Sequence, residues 1–143
     1  MLRAAAIGLV AFALSNPAFA EIIKLSCHFT ETTSFPSGNE QKNSGKIVLQ
    51  VETENGVTRI NGDGTNLSIS VGNFKAGPVI DLQDASDAGK WDITNTFQSG
   101  WTSEVVIDRN TGDFNYHRFK TRSDASSDAT GTCEKVNLAA RKF

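Results

Sequence analysis

Apolar side chains recur at every second position through most of this chain, and a period of two is the mark of strands with one covered face. Ile23, Leu25, Cys27 and Phe29 share one side of a first segment, with Lys24, Ser26 and His28 opposite. Residues 30–45 are rich in Thr, Ser, Gly and Asn, carry Pro36, and read as a long loop. Ile47, Leu49 and Val51 begin the next strand, and Asn55-Gly56 supplies the positive-φ pair of a type I′ turn into Val57–Ile60. Gly62-Asp63-Gly64 marks another turn, after which Leu67, Ile69 and Val71 alternate, as do Ile80 and Leu82 beyond Pro78. Asp84 to Gly89 reads as a polar loop.

The second half repeats the theme. Trp91, Ile93 and Phe97 share a face, and Trp101, Val105 and Ile107 share the next after Ser99-Gly100. Asn110-Thr111-Gly112 suits a turn closed by a glycine bulge, returning Phe114 and Tyr116 antiparallel. Ser123 to Gly131 lacks large apolar anchors and reads as a mobile surface loop, leaving Thr132 to Leu138 as the final strand. No helical period competes. Eight or nine short strands with regular turn signals predict an all-β domain, a small antiparallel β-barrel with a β-sandwich as the alternative.

The first twenty residues belong to a different grammar. Arg3 precedes an apolar run from Ala4 to Leu14, Asn16-Pro17 break it, and Ala18-Phe19-Ala20 form a small-x-small cleavage site before Glu21. This reads as a secretory signal peptide over 1–20 and a single domain over 21–143, bound for the periplasm or the exterior. The run is too short to span a bilayer. No cysteine follows the cleavage site, which argues against a lipoprotein anchor. Nor does the C-terminal Phe143 announce an outer-membrane strand, because Arg141, Ala139, Asn137 and Lys135 give a polar face where lipid needs an apolar one.

Composition then narrows the partners. The net charge is −2, and loss of Arg3 takes it to −3, 13 basic residues against 16 acidic. That balance gives no reason to expect nucleic acid, which asks for a clustered basic surface. Cys27 and Cys133 are the two cysteines, and in an exported chain an isolated pair reads first as a disulfide. Closing a loop of about 100 residues stabilises by roughly 4–5 kcal/mol in the chain-entropy treatment. Free thiols or half of a metal site are the alternatives, the latter weak with only His28 and His117 available and no CxxC spacing.

Leu25-x-Cys27, the run Ile107-Asp108-Arg109-Asn110-Thr111-Gly112, and Cys133 followed by basic residues and Phe143 have a counterpart. The chain resembles a set of short exported proteobacterial proteins of unknown function that share an I-[DN]-R-x-T-G turn and a late cysteine before a terminal Phe. The resemblance implies an exported address and a small β fold; it implies no chemistry.

Candidate contacts are basic. Within the turn, Asp108 or Asn110 can accept backbone N–H bonds, Gly112 can take positive φ, and Arg109 can pair with Asp108 or Asp113 or else present a guanidinium to a ligand. Arg118, Lys120 and Arg122 share strand parity, forming a basic row for an anionic glycan, lipid headgroup or acidic protein, or simply a solvated strand end. Trp91, Trp101, Phe97 and Phe119 can wall an apolar pocket or fill a core. The loops Asn61–Asn66 and Asp84–Gly89 both fail the EF-hand pattern. There is no GxSxG elbow, HExxH pair, phosphate loop or dinucleotide motif, and nothing selects a Ser-His-Asp set around His28 or His117. The expectation is an exported, non-enzymatic binding protein with no cofactor or metal, contacting a protein or an anionic envelope component through Arg118, Lys120, Arg122 and Arg109. A carrier of a small apolar ligand is the alternative, and a hydrolase ranks third. Periplasmic lysozyme inhibitors, small disulfide-tied β domains, are a physical precedent by analogy alone.

Overall fold

In the computed structural model, which describes residues 21–62 and 77–136, the period-two segments become eight antiparallel strands, with no helix among the described residues. They are β1 (Glu21–Ser34), β2 (Glu40–Glu54), β3 (Val57–Gly62), β4 (Val79–Asp84), β5 (Lys90–Phe97), β6 (Trp101–Asp108), β7 (Asp113–Lys120) and β8 (Ser126–Lys135). They lie in one sheet of order β3-β2-β1-β8-β7-β6-β5-β4, so β1 pairs with β8 while β3 and β4 form the two ends. The sheet curls into a nearly closed barrel whose seam runs between β3 and β4. Being one sheet, it is a barrel and not a sandwich.

Across the seam the Thr58 backbone N–H donates to Asp84 Oδ2 at 2.7 Å. Following register from Glu21 through Thr53 and Thr58, across to Asp84, and on through Ile93, Val105, Tyr116 and Ala129 returns to β1 at Glu31, ten residues further along. Such a stagger requires strands tilted by roughly 35–45°, and eight of them enclose little more than their own side chains. Alternation does the filling. Leu25, Cys27, Phe29, Ile47, Leu49, Val51, Ile60, Trp91, Ile93, Val105, Ile107, Phe114 and Tyr116 join in one buried cluster. Each large apolar side chain taken from water contributes about 1.5–3 kcal/mol.

Three sequence expectations need correction. Residues 30–45 are not a long loop: β1 continues to Ser34, β2 starts at Glu40, and only 35–39 turn the chain. Thr and Ser suit a pleated strand, and long pairing between β1 and β2 supplies what apolar spacing does not show. Residues 126–131 are not a mobile loop either, since they form the first half of β8. Ser127 and Ala129 are buried there, small because Arg118 and Tyr116 lie beside them in β7. At Gly131 an added Cβ would lie 1.8 Å from the His28 carbonyl oxygen, so β1 and β8 approach too closely for any side chain. The last strand therefore starts well before Thr132. The expected strand around Leu67, Ile69 and Val71 lies outside the described residues.

Cys27 and Cys133 form the disulfide, as direct partners in the β1–β8 ladder with Cα atoms 4.0 Å apart. A disulfide is compatible with an oxidising, extracytoplasmic location. No helix among the described residues is long and apolar enough to cross a membrane.

Candidate functional site

Strand direction sorts the turns onto two rims. Asn55-Gly56, residues 85–89 and residues 109–112 stand on one, here the lower rim, and residues 35–39, 98–100 and 121–125 stand on the upper. The four basic candidates divide between them.

Arg109 stands on the lower rim, in a turn that the chain holds rigid. Asp108 Oδ1 accepts the Asn110 N–H at 2.8 Å and the Thr111 N–H at 2.9 Å. These two backbone bonds hold the Asp108 carboxyl below its usual range. Gly112 has φ 79°, donates to the Asp108 carbonyl and accepts from the Cys133 N–H. A Cβ there would fall 2.3 Å from the Cys133 carbonyl oxygen, which makes glycine obligatory twice over. The turn is thus clamped onto the disulfide strand, and this accounts physically for Asp108 and Gly112 of the I-D-R-N-T-G run.

Arg109 itself pairs with neither Asp108 nor Asp113. Its guanidinium lies 4.9 Å above the Trp91 ring and donates through Nη1 to the Asp87 carbonyl at 3.1 Å. Beneath it is a recess of about 200 Å³. Leu25, Trp91 and Ile107 give that recess an apolar floor, while Arg109 and Lys135 bring two exposed cations to it. The sequence pattern does not single out Lys135. Its parity with Cys133 and its pairing opposite Leu25 are what place it there.

The Arg118, Lys120, Arg122 row does not form one solvated face. All three keep the parity of Phe114 and Tyr116, but the barrel extends further than the apolar pattern indicates. Arg118 is only 4 % exposed, with its guanidinium 4.9 Å over Trp101. Lys120 and Arg122 are exposed at the upper rim, Arg122 in a turn with φ 64°. Arg118 is an interior residue.

Around it the interior turns polar, a feature the alternation pattern does not reveal. Glu31, Asn95, Ser103 and Ser127 are all buried, on β1, β5, β6 and β8. Thr33 Oγ1 donates to Glu31 Oε1 at 3.1 Å and lies 3.2 Å from Ser127 Oγ. Burial pushes the Tyr116 hydroxyl up to about 12, with Arg118 opposing that shift and Glu31 adding to it. Both interior charges therefore act on one hydroxyl. Among the described residues, Glu31 Oε2, Asn95 Oδ1, Ser103 Oγ and Tyr116 OH meet no hydrogen-bond partner of good geometry. An inward-facing Glu on a Thr-rich segment is hard to read from sequence, because without knowing that β1 continues, its parity has no meaning.

The aromatic set divides as well. Trp91 and Phe97 are buried in the packed interior, Trp101 lies under Arg118, and Phe119 faces outward beside His117. They do not wall a common chamber. His28 is exposed on the outer face, and His117 Nδ1 contacts Asp128 there. Among the described residues no serine is hydrogen-bonded to either histidine, and no three His, Cys, Asp or Glu side chains gather into a metal-binding group. Glu104, opposite His117, is raised by partial burial and by nearby Asp92. The Asp84–Gly89 loop spends its carboxylates on its own backbone: Asp84 Oδ1 accepts the Ser86 N–H, and Asp87 Oδ1 accepts those of Gly89 and Lys90. Of the Asn61–Asn66 loop, residues 63–66 lie outside the described residues. No family model and no curated protein matches the chain.

Proposed function

We propose that this is an exported, non-enzymatic binding protein, cleaved after Ala20, that holds an anionic group of an envelope component at the lower-rim recess. The reading keeps Arg109 from the sequence-derived set and adds Lys135. Arg118 is too deeply buried to serve as a contact, while Lys120 and Arg122 stand on the opposite rim without a recess of their own among those described. What carries the reading is the Arg109 guanidinium. It is exposed, pre-oriented over Trp91, and mounted on a turn locked by Asp108 and Gly112. A planar guanidinium held in place loses little freedom on meeting a carboxylate or phosphate. Lys135 supplies the second charge, and the floor of Leu25, Trp91 and Ile107 accepts an apolar portion of the same ligand. A flat protein surface would reach Arg109 and leave that floor unused. An apolar carrier function has less support, because Trp91, Phe97, Trp101 and Phe119 do not wall a common chamber. Kinship with short exported proteobacterial proteins remains part of the proposal, resting on the I-D-R-N-T-G turn whose geometry is described above.

The test uses short-chain phospholipid as the probe. Dihexanoyl phosphatidic acid added to the oxidised protein should quench or shift tryptophan emission, and dihexanoyl phosphatidylcholine should not. Arg109→Ala and Lys135→Ala should each weaken the acidic probe by about tenfold or more, the scale of one charge-assisted hydrogen bond. Equal response to the two lipids, or full response in the double variant, would overturn the site.

A further inference from the structure

The seam between β3 and β4 holds a cleft of about 270 Å³ that the lower-rim site does not use. It exists because no ladder joins these strands among the described residues, and because β4 bulges. Val79 pairs with Phe97 and Asp81 with Thr96, so Ile80 is the extra residue and stands 66 % exposed. Ile60 and Leu82 give the cleft apolar walls, extended outward by Val79 and Ile80. Asn95 also lines it, only 5 % exposed, with an Oδ1 that has no hydrogen-bond partner among the described residues. A buried acceptor left unpaired costs about 1–3 kcal/mol, so a donor belongs there.

Charge makes the cleft specific. Arg59 on β3 and Asp81 on β4 flank it with opposite signs, both exposed, and they do not pair with each other. Among the described residues, Asp81 accepts from the Gln83 amide alone, at 3.4 Å. Two complementary charges stand apart across a slot with an acceptor inside and apolar walls. The slot holds about nine waters' worth of volume at ~30 Å³ each, the size of a single small molecule.

We infer that the seam is a binding site for a small zwitterion, an apolar α-amino acid. Its carboxylate would lie on the Arg59 guanidinium, and its ammonium, with three donors, between Asp81 and Asn95 Oδ1. Its side chain would lie against Ile60 and Leu82. No chemical step is involved; this is recognition only.

L-Leucine is the probe, with leucinamide, which lacks the carboxylate, and N-acetylleucine, which lacks the ammonium, as its controls. Titrated into the oxidised protein by calorimetry, leucine should bind with a Kd of about 1 mM or tighter. Each blocked analogue should bind about tenfold more weakly or worse. Asp81→Asn and Arg59→Gln sit on exposed side chains and should weaken leucine similarly without moving the unfolding midpoint. In NMR spectra the Asn95 side-chain amide should shift with leucine. Arg109→Ala should leave leucine binding unchanged, which separates failure here from failure of the lower-rim site. Absence of heat and of shifts at about 10 mM leucine, ten times that affinity bound, or equal binding of all three compounds, would overturn the inference.

Discussion

Where β1 meets β8, ten consecutive positions pair from Leu25–Lys135 to Ser34–Ser126, a disulfide crosses the ladder, and Gly131 brings the two backbones into contact. Where β3 meets β4, no ladder forms among the described residues, Thr58 bonds across to Asp84, and Val57, Val79 and Ile80 remain exposed. The disulfide of the first junction spans 106 positions, whereas the second joins strands that are consecutive among those described. Nearness along the chain does not decide which contact is tight. A barrel assembled by neighbouring hairpins has one place where its distant strands must meet, and here covalent and backbone constraints concentrate at that place. The seam is left loose enough for a cleft. Regions with few backbone bonds open at lower free energy than the rest, and binding surfaces tend to be drawn from them.

The contrast can be broken experimentally, beginning with the disulfide. A Cys27→Ser, Cys133→Ser double variant should lose about 4 kcal/mol in urea unfolding, the expectation for a loop of about 100 residues. A loss below about 1 kcal/mol would show that the ladder alone holds the junction. Gly131→Ala should come next, at about 3 kcal/mol, since its Cβ meets the His28 carbonyl with no flexible side chain to give way. A near-neutral result would mean that β1 and β8 can separate without cost.

Effects of pH distinguish the packed interior beside β8 from the seam. Tyr116, opposite Ala129 of β8, is raised to about 12 by burial, so the folded state favours the neutral phenol. Its contribution is complete below the unfolded value near 10 and is lost as pH climbs through about 12, for a total of about 3 kcal/mol. Tyr116→Phe should flatten that alkaline limb in unfolding curves recorded against pH.

Asp84 moves the opposite way. Burial raises it, but hydrogen bonds from Ser86 and Thr58 outweigh that and leave it lowered. Its support is present above the ordinary aspartate range and lost as pH falls below 3.8 through the folded value. Asp84→Ala should cost about 1 kcal/mol at neutral pH and speed hydrogen exchange at the Thr58 amide, leaving the amides of β8 unchanged. Should β8 amides accelerate equally, the seam and the junction would be one cooperative unit.

Much of this was legible in the chain. Leu25, Cys27 and Phe29, then Trp91, Ile93 and Phe97, declare their strands because each strand here covers one face, so spacing and burial coincide. Asn55-Gly56 adopts φ 52° and 76°, the turn its residues demand. The readings that failed share one cause. Thr30–Ser34 and Ser126–Gly131 are strands with hardly any large apolar side chains, held by backbone pairing to partners that no local window contains. Arg118 failed with them: its parity was clear, but whether that face met water depended on how far β1 and β8 extended. Arg109 was visible as a candidate, whereas its stacking on Trp91 and its companion Lys135 required three separate segments to converge on one rim.

By itself, then, the order of side chains determined what local physics can settle: alternation, hence strands; glycine and Asx positions, hence turns; two lone cysteines, hence one bond. Only the tertiary structure decided register, and register decided the rest. It set the ten-residue stagger that tilts the strands, the polar interior around Glu31 and Arg118, and the place of the seam. The physical reason is that a strand's backbone bonds lie outside itself, so its limits and inward neighbours are properties of its partners.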